Sequence, residues 1–151
     1  MNPGNSNDAI TKEIVIQAPA QRIFLALTDP LQRLRWWKAA GKFETTQMES
    51  DLRPGGAWLM RGTAMGNKPF ILSGTYITIE PPRLLEFTWF EDSQENAPPT
   101  RVRFDLQESD GSTTVRLTHS GFTSDGYRKR YQGWPWLLAL LQEYVQDNKG
   151  L

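Results

Sequence analysis

The side chain with the clearest capacity for chemistry is His119, the only histidine of the 151-residue chain. It alternates with Val115 and Leu117, so all three share one face of a predicted strand. An imidazole there could act as the general base of a cyclase or hydrolase reaction, with a tyrosine or arginine as the oxyanion donor. A single imidazole at the end of an apolar file is, however, more often a hydrogen-bonded structural residue. The sequence alone leaves both interpretations open.

Other chemistry is limited by the residues that the sequence lacks. The chain has no cysteine, which excludes thiolate nucleophiles, disulfides and sulfur ligands. Neither a second histidine nor carboxylates at the spacing of known metal motifs accompany His119, so we expect no metal site. The sequence also has no Gly-x-Ser-x-Gly elbow, phosphate-binding loop or dinucleotide fingerprint. We therefore expect no cofactor.

Three further polar residues could hold the polar group of a ligand, namely Tyr76, Arg61 and Arg103. Each lies within a predicted strand. Strand alternation places Arg61 and Arg103 on the outward face, which favours a solvated role for these two. Tyr76 is the one of the three that alternation allows to face the interior.

Basic residues also stand beside aromatic ones, as in Arg33 and Arg35 before Trp36-Trp37, and in Arg128-Lys129-Arg130 before the last apolar segment. Such clusters can bind single-stranded nucleic acid. Seventeen basic residues are balanced by seventeen acidic ones, so the overall charge draws the chain to neither nucleic acid nor an anionic membrane. We expect these clusters to be solvated faces and expect no nucleic-acid partner.

The elements that must position these residues are organised around an apolar stripe near the C-terminus. The stripe has helical spacing and consists of Trp134, Leu137, Leu138, Leu141, Tyr144 and Val145, with Trp136 and Leu140 at its margins. It is broader than a surface helix needs, which predicts packing against a curved sheet. Thr123 or Ser124 would cap this final helix, and Pro135 would kink it near Tyr131.

The rest of the chain predicts mostly strands. Residues 10–17 form a first strand, and residues 20–28 and 31–37 form two short helices. Six strands then follow within residues 43–119, namely 43–51, 58–63, 70–80, 85–89, 102–106 and 115–119. Their connections are mostly short, with residues 91–99 as a longer exposed hairpin loop, so the strands should form an antiparallel meander.

The bounds of the domain and the cellular location can also be predicted from the sequence. Residues 1–9 have neither the basic region nor the apolar core of a signal peptide and are expected to be a disordered tail. Residues 10–148 would form a single domain. The longest apolar run, residues 134–141, is far shorter than the roughly 18 residues of a membrane helix, so we expect no membrane span and a cytoplasmic protein.

Several short motifs follow one another along residues 12–147 in a characteristic order. They are Ile16-Gln-Ala-Pro-Ala20, Asp29-Pro30 with Trp36-Trp37, Leu52-Arg-Pro-Gly-Gly-Ala-Trp58, Gly74-Thr-Tyr-Ile-Thr-Ile-Glu-Pro-Pro-Arg-Leu84, Phe87-Thr-Trp89, Leu117-Thr-His-Ser-Gly-Phe122 and Gly133-Trp134. In order and spacing these motifs resemble the START-like or Bet v 1-like (SRPBCC) helix-grip superfamily. Within it, they resemble the proteins similar to the C-terminal domain of the activator of Hsp90 ATPase.

The resemblance implies an α+β helix-grip fold. In such a fold a curved antiparallel sheet of about seven strands wraps around a long C-terminal helix, with two short helices after the first strand and a cavity between sheet and helix. The resemblance implies no shared catalytic set, because relatives include binders of lipids or hydrophobic ligands, cyclases, self-resistance proteins and chaperone cofactors.

The leading hypothesis is a non-enzymatic carrier or sensor that binds a small hydrophobic or aromatic molecule in that cavity, with Tyr76 or His119 orienting its polar group. The candidate ligand-binding residues are Phe24, Trp36, Trp58, Met60, Tyr76, Phe87, Trp89, Phe104, Leu117, His119, Trp134, Leu138 and Leu141. An empty cavity of roughly 300 Å³ would cost about 7 kcal/mol. We therefore expect the space to be partly filled by aromatic side chains, hydrated near polar groups, or occupied by a ligand.

Two other functions remain as alternatives. One is a cyclase or hydrolase that uses His119. The other is a chaperone-associated stress-response interaction module, which the family resemblance alone implies. An exposed face formed by Trp136 and Leu140 would favour a homodimer, whereas cover by the two short helices would leave a monomer.

Overall fold

The computed structural model describes residues 9–39, 41–92 and 97–147, which contain eight strands and four α-helices. As predicted, two short helices follow the first strand, and the remaining strands come before the C-terminal helical segment. The strands are β1 (Ile10–Ile16), β2 (Lys38–Ala39), β3 (Phe43–Ser50), β4 (Ala57–Ala64), β5 (Lys68–Glu80), β6 (Leu84–Glu91), β7 (Thr100–Ser109) and β8 (Ser112–Ser120). The helices are α1 (Ala20–Thr28), α2 (Pro30–Trp36), α3 (Asp125–Lys129) and α4 (Trp134–Asp147). A short 3₁₀ turn, Met65–Asn67, joins β4 to β5.

All eight strands belong to one antiparallel sheet in the order β1-β8-β7-β6-β5-β4-β3-β2. Strands β3 to β8 are the predicted six-strand meander, and β1 closes it by pairing with β8, with Ile10 opposite His119. The sheet has one more strand than the predicted seven because the two residues of β2 pair with the start of β3. A curled antiparallel sheet with a C-terminal helix confirms the predicted α+β helix-grip fold.

The turn between β7 and β8 shows how local sequence sets the strand register. Asp110 and Gly111 form the two-residue connection, and both have positive φ angles, 54° and 83°. Such a turn matches the right-handed twist of a hairpin and favours glycine. It holds β8 in register with β7, so that His119 lies opposite Val102.

The two short helices follow β1 as predicted. Asp29 ends α1 and caps α2, because its side chain accepts a 3.1 Å hydrogen bond from the backbone N–H of Leu31. Pro30 is the first residue of α2, where a missing N–H costs nothing. The chain therefore bends between the helices and brings Trp36 and Trp37 into the interior, where they are 4% and 5% exposed.

The C-terminal segment consists of two helices. Ser124 caps α3, as predicted, by accepting a 3.1 Å hydrogen bond from the N–H of Tyr127. The predicted interruption before the apolar stripe is confirmed, but it is a non-helical turn over residues 130–133 rather than a kink within one helix. Pro135 then falls in the first turn of α4, a position that proline tolerates.

The core lies between the concave side of the sheet and α4. The residues of α4 that are buried, Trp134, Leu138, Leu141 and Val145, follow the spacing predicted from the stripe. The far end of the helix is held to the first strand, where the Gln142 side chain donates a 2.8 Å hydrogen bond to the carbonyl of Val15. Within residues 9–39, 41–92 and 97–147, no helix combines the length and apolar character needed to cross a membrane.

The predicted disordered tail falls almost wholly on residues 1–8, which lie outside the described residues. The same holds for residues 93–96 of the predicted exposed loop after β6 and for residue 148 at the predicted end of the domain.

Candidate functional site

The thirteen residues predicted from the sequence to line a cavity all lie in the core, and none is more than 4% exposed. Their rings pack against one another across the interior. The indole of Trp58 lies 5.5 Å from the ring of Phe87 and 5.6 Å from that of Trp89, and Phe104 lies 6.3 Å from Trp134. Aromatic side chains therefore occupy much of the space between the sheet and α4.

His119 is fully buried in this packing and has a hydrogen-bond partner at each ring nitrogen. Its Nδ1 accepts a 3.1 Å hydrogen bond from the indole N–H of Trp134. Its Nε2 lies 2.7 Å from the Thr100 hydroxyl, which itself lies 3.2 Å from the carbonyl oxygen of Trp89. These contacts link α4 to strands β6, β7 and β8.

The partners determine which imidazole nitrogen carries the proton. An indole N–H can only donate, so Nδ1 must be the acceptor and Nε2 must carry the hydrogen. Nε2–H then donates to the Thr100 hydroxyl, which in turn donates to the carbonyl of Trp89. Burial lowers the pKa of His119 to about 3, so the ring is neutral at neutral pH. With its lone pair bonded to Trp134, His119 is not placed to remove a proton from a ligand.

Tyr76, the other predicted polar contact, is also satisfied within the core. Its hydroxyl lies 2.7 Å from the Ser50 hydroxyl, and burial raises its pKa. Arg61 is exposed, as predicted. Arg103 is half-buried and holds Asp105 through two hydrogen bonds of 2.9 and 3.0 Å. These two arginines thus do not point to a ligand in the interior.

A cavity of about 380 Å³ opens beside this core, between the start of α4 and the strands β3, β5 and β6. Seven of its twelve lining residues are aromatic, and we call it the aromatic pocket. Its lining consists of Trp37, Phe43, Phe70, Leu72, Trp89, Glu91, Arg130, Tyr131, Gly133, Trp134, Trp136 and Leu137. Trp136 is 44% exposed at the rim, and its ring meets that of Phe43 at 5.8 Å.

One end of the aromatic pocket is polar. The Tyr131 hydroxyl accepts a 3.0 Å hydrogen bond from the indole N–H of Trp89 and donates to the carboxylate of Glu91. The guanidinium of Arg130 forms an ion pair with the same carboxylate. Burial and the hydrogen bond to Glu91 raise the pKa of Tyr131 far above its ordinary value, so its hydroxyl stays protonated. Hydrogen-bond donors and acceptors thus stand together at one end of an otherwise apolar cavity.

Arg33 lies behind the aromatic pocket and is buried, with 4% of its surface exposed. Its guanidinium carbon is 4.5 Å from the centre of the Trp37 ring and 6.0 Å from that of Trp36. Burial lowers the pKa of Arg33 to about 10, so it remains charged at neutral pH. The solvated face predicted for this arginine is therefore wrong, because α2 turns it inward toward β4.

A second cavity, of about 700 Å³, lies between the β2–β3 turn, the β4–β5 connection and the outer part of α4. We call it the polar cleft. Three basic and three acidic side chains line it, namely Arg35, Lys38, Lys42, Glu44, Glu143 and Asp147. Trp36 and Leu140 also contribute to its wall. Its charges balance, and its lining has no aromatic cluster comparable to that of the aromatic pocket.

The sequence matches the family model described as activator of Hsp90 ATPase homolog 1-like protein over residues 17–146, which is most of the chain. The chain belongs to this family. An AHSA1-like protein of Aeromonas hydrophila, solved by NMR, is 25% identical, with a TM-score of 0.76 and 92% of each chain covered. These matches are consistent with the predicted SRPBCC superfamily.

Two further solved structures are similar to this AHSA1-like chain. Protein CV1439 of Chromobacterium violaceum is 24% identical, with a TM-score of 0.81 over 92% of this chain and 97% of that one. CalU16 of Micromonospora echinospora is 27% identical, with a TM-score of 0.68 over 91% of this chain and 75% of that one. No curated protein matches the chain.

The sequence-predicted candidates divide between the core and the cavities of the AHSA1-like fold. Trp89 and Trp134 line the aromatic pocket, and Trp36 lines the polar cleft. The other ten line neither cavity and pack in the core, namely Phe24, Trp58, Met60, Tyr76, Phe87, Phe104, Leu117, His119, Leu138 and Leu141. Among the described residues, no cluster of three or more His, Cys, Asp or Glu side chains could hold a metal ion.

Sequence reasoning missed most of the aromatic pocket, including Trp37, Phe43, Phe70 and Tyr131. Phe43 and Phe70 are half-buried and lie near the starts of β3 and β5, where strand alternation gives little guidance. Tyr131 lies in the turn between α3 and α4. The one available signal was the density of tryptophans in the two short segments 36–37 and 134–136.

Proposed function

We propose that this AHSA1-like protein binds a small aromatic or otherwise hydrophobic molecule in the aromatic pocket, as a carrier or sensor rather than as an enzyme. The observation that carries the proposal is the lining of a 380 Å³ cavity in which seven of twelve residues are aromatic. That volume lies within the roughly 300–1,000 Å³ range of small-molecule sites. Mainly apolar walls with a few polar groups at one end are typical of such sites.

The energetics are consistent with a ligand of one or two rings. Burying about 200 Å² of apolar ligand surface contributes roughly 5 kcal/mol. Ring-to-ring contacts with Trp37, Trp134 or Phe70 would add about 0.5–1.5 kcal/mol each. Part of this free energy offsets the translational and rotational freedom that the ligand loses on binding, so we expect affinities between the millimolar and the micromolar range.

Tyr131 and Glu91 are the groups that would orient the ligand. Both line the aromatic pocket, whereas Tyr76 and His119 line neither cavity. A ligand hydroxyl next to Tyr131 could join the hydrogen bonds that already connect Trp89, Tyr131 and Glu91. This replaces the sequence-based choice of Tyr76 or His119 for that role.

The other two functions have less support. A cyclase or hydrolase using His119 would need a free imidazole lone pair, and Trp134 occupies it. A chaperone-associated role rests on family membership alone. A cytoplasmic location and the choice between monomer and homodimer stay predictions from the sequence.

Two matched leucines on α4 allow a sharp test of the pocket. Leu137 lines the aromatic pocket, and Leu140, one turn further on, lines the polar cleft; both are half-buried. Replacing Leu137 with tryptophan fills the pocket, so we expect Leu137→Trp to bind 2-naphthol at least tenfold more weakly in isothermal titration calorimetry. Leu140→Trp should stay within threefold of the unmodified protein. Equal affinities in all three proteins would refute the pocket.

The natural ligand can be sought directly. Native mass spectrometry of the protein purified gently from its own host, compared with the denatured mass of the same sample, would release a discrete mass if a ligand is carried. Loss of that mass in Leu137→Trp but not in Leu140→Trp would place the ligand in the aromatic pocket. A mass retained by Leu137→Trp would place it elsewhere.

A further inference from the structure

Arg33 is a buried cation that has no acidic partner among the described residues. One guanidinium nitrogen, Nη1, donates a 2.9 Å hydrogen bond to the carbonyl of Leu27, and Nη2 lies 3.0 Å from the sulfur of Met60. The Nε–H has no hydrogen-bond partner within the described part of the chain. No carboxylate of the described residues lies within ion-pair distance of this guanidinium.

Such a charge is unusual in a protein interior. Buried arginines are almost always paired, because moving a charge out of water is costly unless an opposite charge compensates it. The rings of Trp36 and Trp37 offer partial compensation through cation–π contacts. A thioether sulfur is only a weak acceptor. The positive charge of Arg33 is therefore incompletely balanced by its surroundings.

This charge lies next to the aromatic pocket. The Trp37 ring, on which the guanidinium rests at 4.5 Å, is itself part of the pocket lining. Among the described residues, the charged ones that line the pocket are Glu91 and Arg130, and they form an ion pair with each other. The Trp37 ring thus separates the buried charge of Arg33 from the interior of the pocket.

We propose that Arg33 determines the charge specificity of the aromatic pocket and selects ligands that carry an anionic group, such as an aromatic carboxylate. The inference rests on the proposed ligand-binding function and narrows its ligand class. An anion at roughly 10 Å from the guanidinium, at an effective dielectric constant of about 20, gains affinity on the order of tenfold over a neutral analogue. An ammonium-bearing analogue loses a similar factor.

A purely structural role for Arg33 makes a different prediction. Its hydrogen bond to Leu27 ties the end of α1 to α2, so removing the guanidinium would lower stability in either case. A structural tie, however, has no reason to distinguish a carboxylate from an amide of the same shape. The ratio of the two affinities therefore separates the roles.

The test compares 2-naphthoate with 2-naphthamide by isothermal titration calorimetry at pH 7. We expect the unmodified protein to bind the carboxylate about tenfold more tightly than the amide. Arg33→Met keeps most of the side-chain volume without the charge and should bind both equally. Arg33→Lys keeps the charge and should retain most of the preference.

Two results would overturn the proposed role of Arg33. Equal or weaker binding of 2-naphthoate by the unmodified protein overturns the proposal, as does a preference that persists in Arg33→Met. If the amide binds but no charge preference exists, only the role of Arg33 is lost; if neither compound binds, the proposed pocket function falls with it.

Should Arg33→Met not fold, ¹³C NMR of carboxyl-labelled 2-naphthoate on the unmodified protein gives a second measure. A nearby uncompensated cation should lower the pKa of the bound acid by about one unit relative to the free acid. An unchanged or raised value would contradict the proposal.

Discussion

The indole N–H of Trp134 donates a 3.1 Å hydrogen bond to Nδ1 of His119. Trp134 is the first residue of α4, and His119 lies near the end of β8, so the bond fixes where the helix begins against the sheet. The same bond occupies the lone pair that general-base catalysis would need. The residue that the sequence marks most clearly for chemistry thus has a structural role.

The neutral state of His119 predicts a specific loss of stability in acid. Its pKa is about 3 in the folded protein, because of burial, and about 6.5 in the unfolded chain. Between these values the unfolded chain binds a proton that the folded protein does not, so stability falls as the pH falls. The expected slope approaches 1.4 kcal/mol per pH unit below pH 6. Urea unfolding at pH 7, 5 and 4 measures it.

His119→Gln is the control for this prediction. Glutamine keeps a donor and an acceptor but does not titrate, so the variant should be less stable at pH 7 and lose less stability on acidification. The difference between the two proteins should shrink steadily from pH 6 to pH 4. An identical pH dependence in both proteins would show that other groups are responsible.

The hydroxyl of Thr100 is predicted to contribute measurably to the free energy of unfolding. It lies between His119 Nε2 at 2.7 Å and the carbonyl of Trp89 at 3.2 Å, all in the core. Thr100→Val keeps the shape but leaves a buried N–H without an acceptor, which should lower the free energy of unfolding by about 1–3 kcal/mol. Thr118 lies in β8 on the face opposite to His119, and Thr118→Val should change the free energy of unfolding by less than about 0.5 kcal/mol. Equal stabilities of the two variants would contradict the hydrogen-bond assignment.

The sequence predicted those parts of the fold in which buried residues recur at the period of a strand or a helix. Alternation put Val115, Leu117 and His119 on one face, and all three are buried. Helical spacing identified the buried side of α4 from Trp134 to Val145. The extra strand was missed because Lys38–Ala39 has two residues, too few for any period to show.

The candidate site was harder to predict because it is built from the margins of those elements. Phe70 and Trp136 are only partly covered, so neither belongs to a buried face that periodicity can reveal. Arg33 was misjudged for a different reason. Residue type argues for solvent, and only the bend at Asp29–Pro30, which orients α2, turns its side chain toward Trp37 and Met60.

Gly74 is predicted to be irreplaceable even by alanine. It lies opposite Trp58 in the β4–β5 pairing, and a Cβ there would come within 1.9 Å of the Thr88 carbonyl oxygen and 2.7 Å of the Trp58 indole nitrogen. The absence of a side chain lets the Trp58 N–H reach that carbonyl at 3.2 Å. We expect Gly74→Ala to lower the free energy of unfolding by about 3 kcal/mol or more, measured by urea denaturation.

Gly126 provides the matched control for that substitution. It lies in α3, and a Cβ there would meet no atom within 4 Å. Gly126→Ala should therefore leave stability unchanged or raise it by up to about 1 kcal/mol, since alanine favours the helix. If Gly74→Ala were as stable as Gly126→Ala, the close approach of β5, β6 and Trp58 would be wrong.

The last prediction concerns the polar end of the aromatic pocket. The Tyr131 hydroxyl accepts from the indole N–H of Trp89 at 3.0 Å and donates to Glu91. Tyr131→Phe leaves that N–H without its partner, which should lower the free energy of unfolding by about 1–3 kcal/mol. The ring itself remains, so apolar contact with a ligand is retained. Naphthalene should bind within threefold of the unmodified protein, whereas 2-naphthol, whose hydroxyl can join this hydrogen-bond chain, should lose fivefold or more.

Tyr144→Phe makes the same chemical change in the polar cleft and should alter neither affinity. The informative quantity is the ratio of the two losses in Tyr131→Phe, because a general disturbance of the pocket would weaken both compounds alike. Equal losses for naphthalene and 2-naphthol would mean that Tyr131 supports the wall of the pocket and does not recognise the ligand's polar group. A loss confined to 2-naphthol would assign that recognition to the Tyr131 hydroxyl, which lines the aromatic pocket, whereas His119 does not.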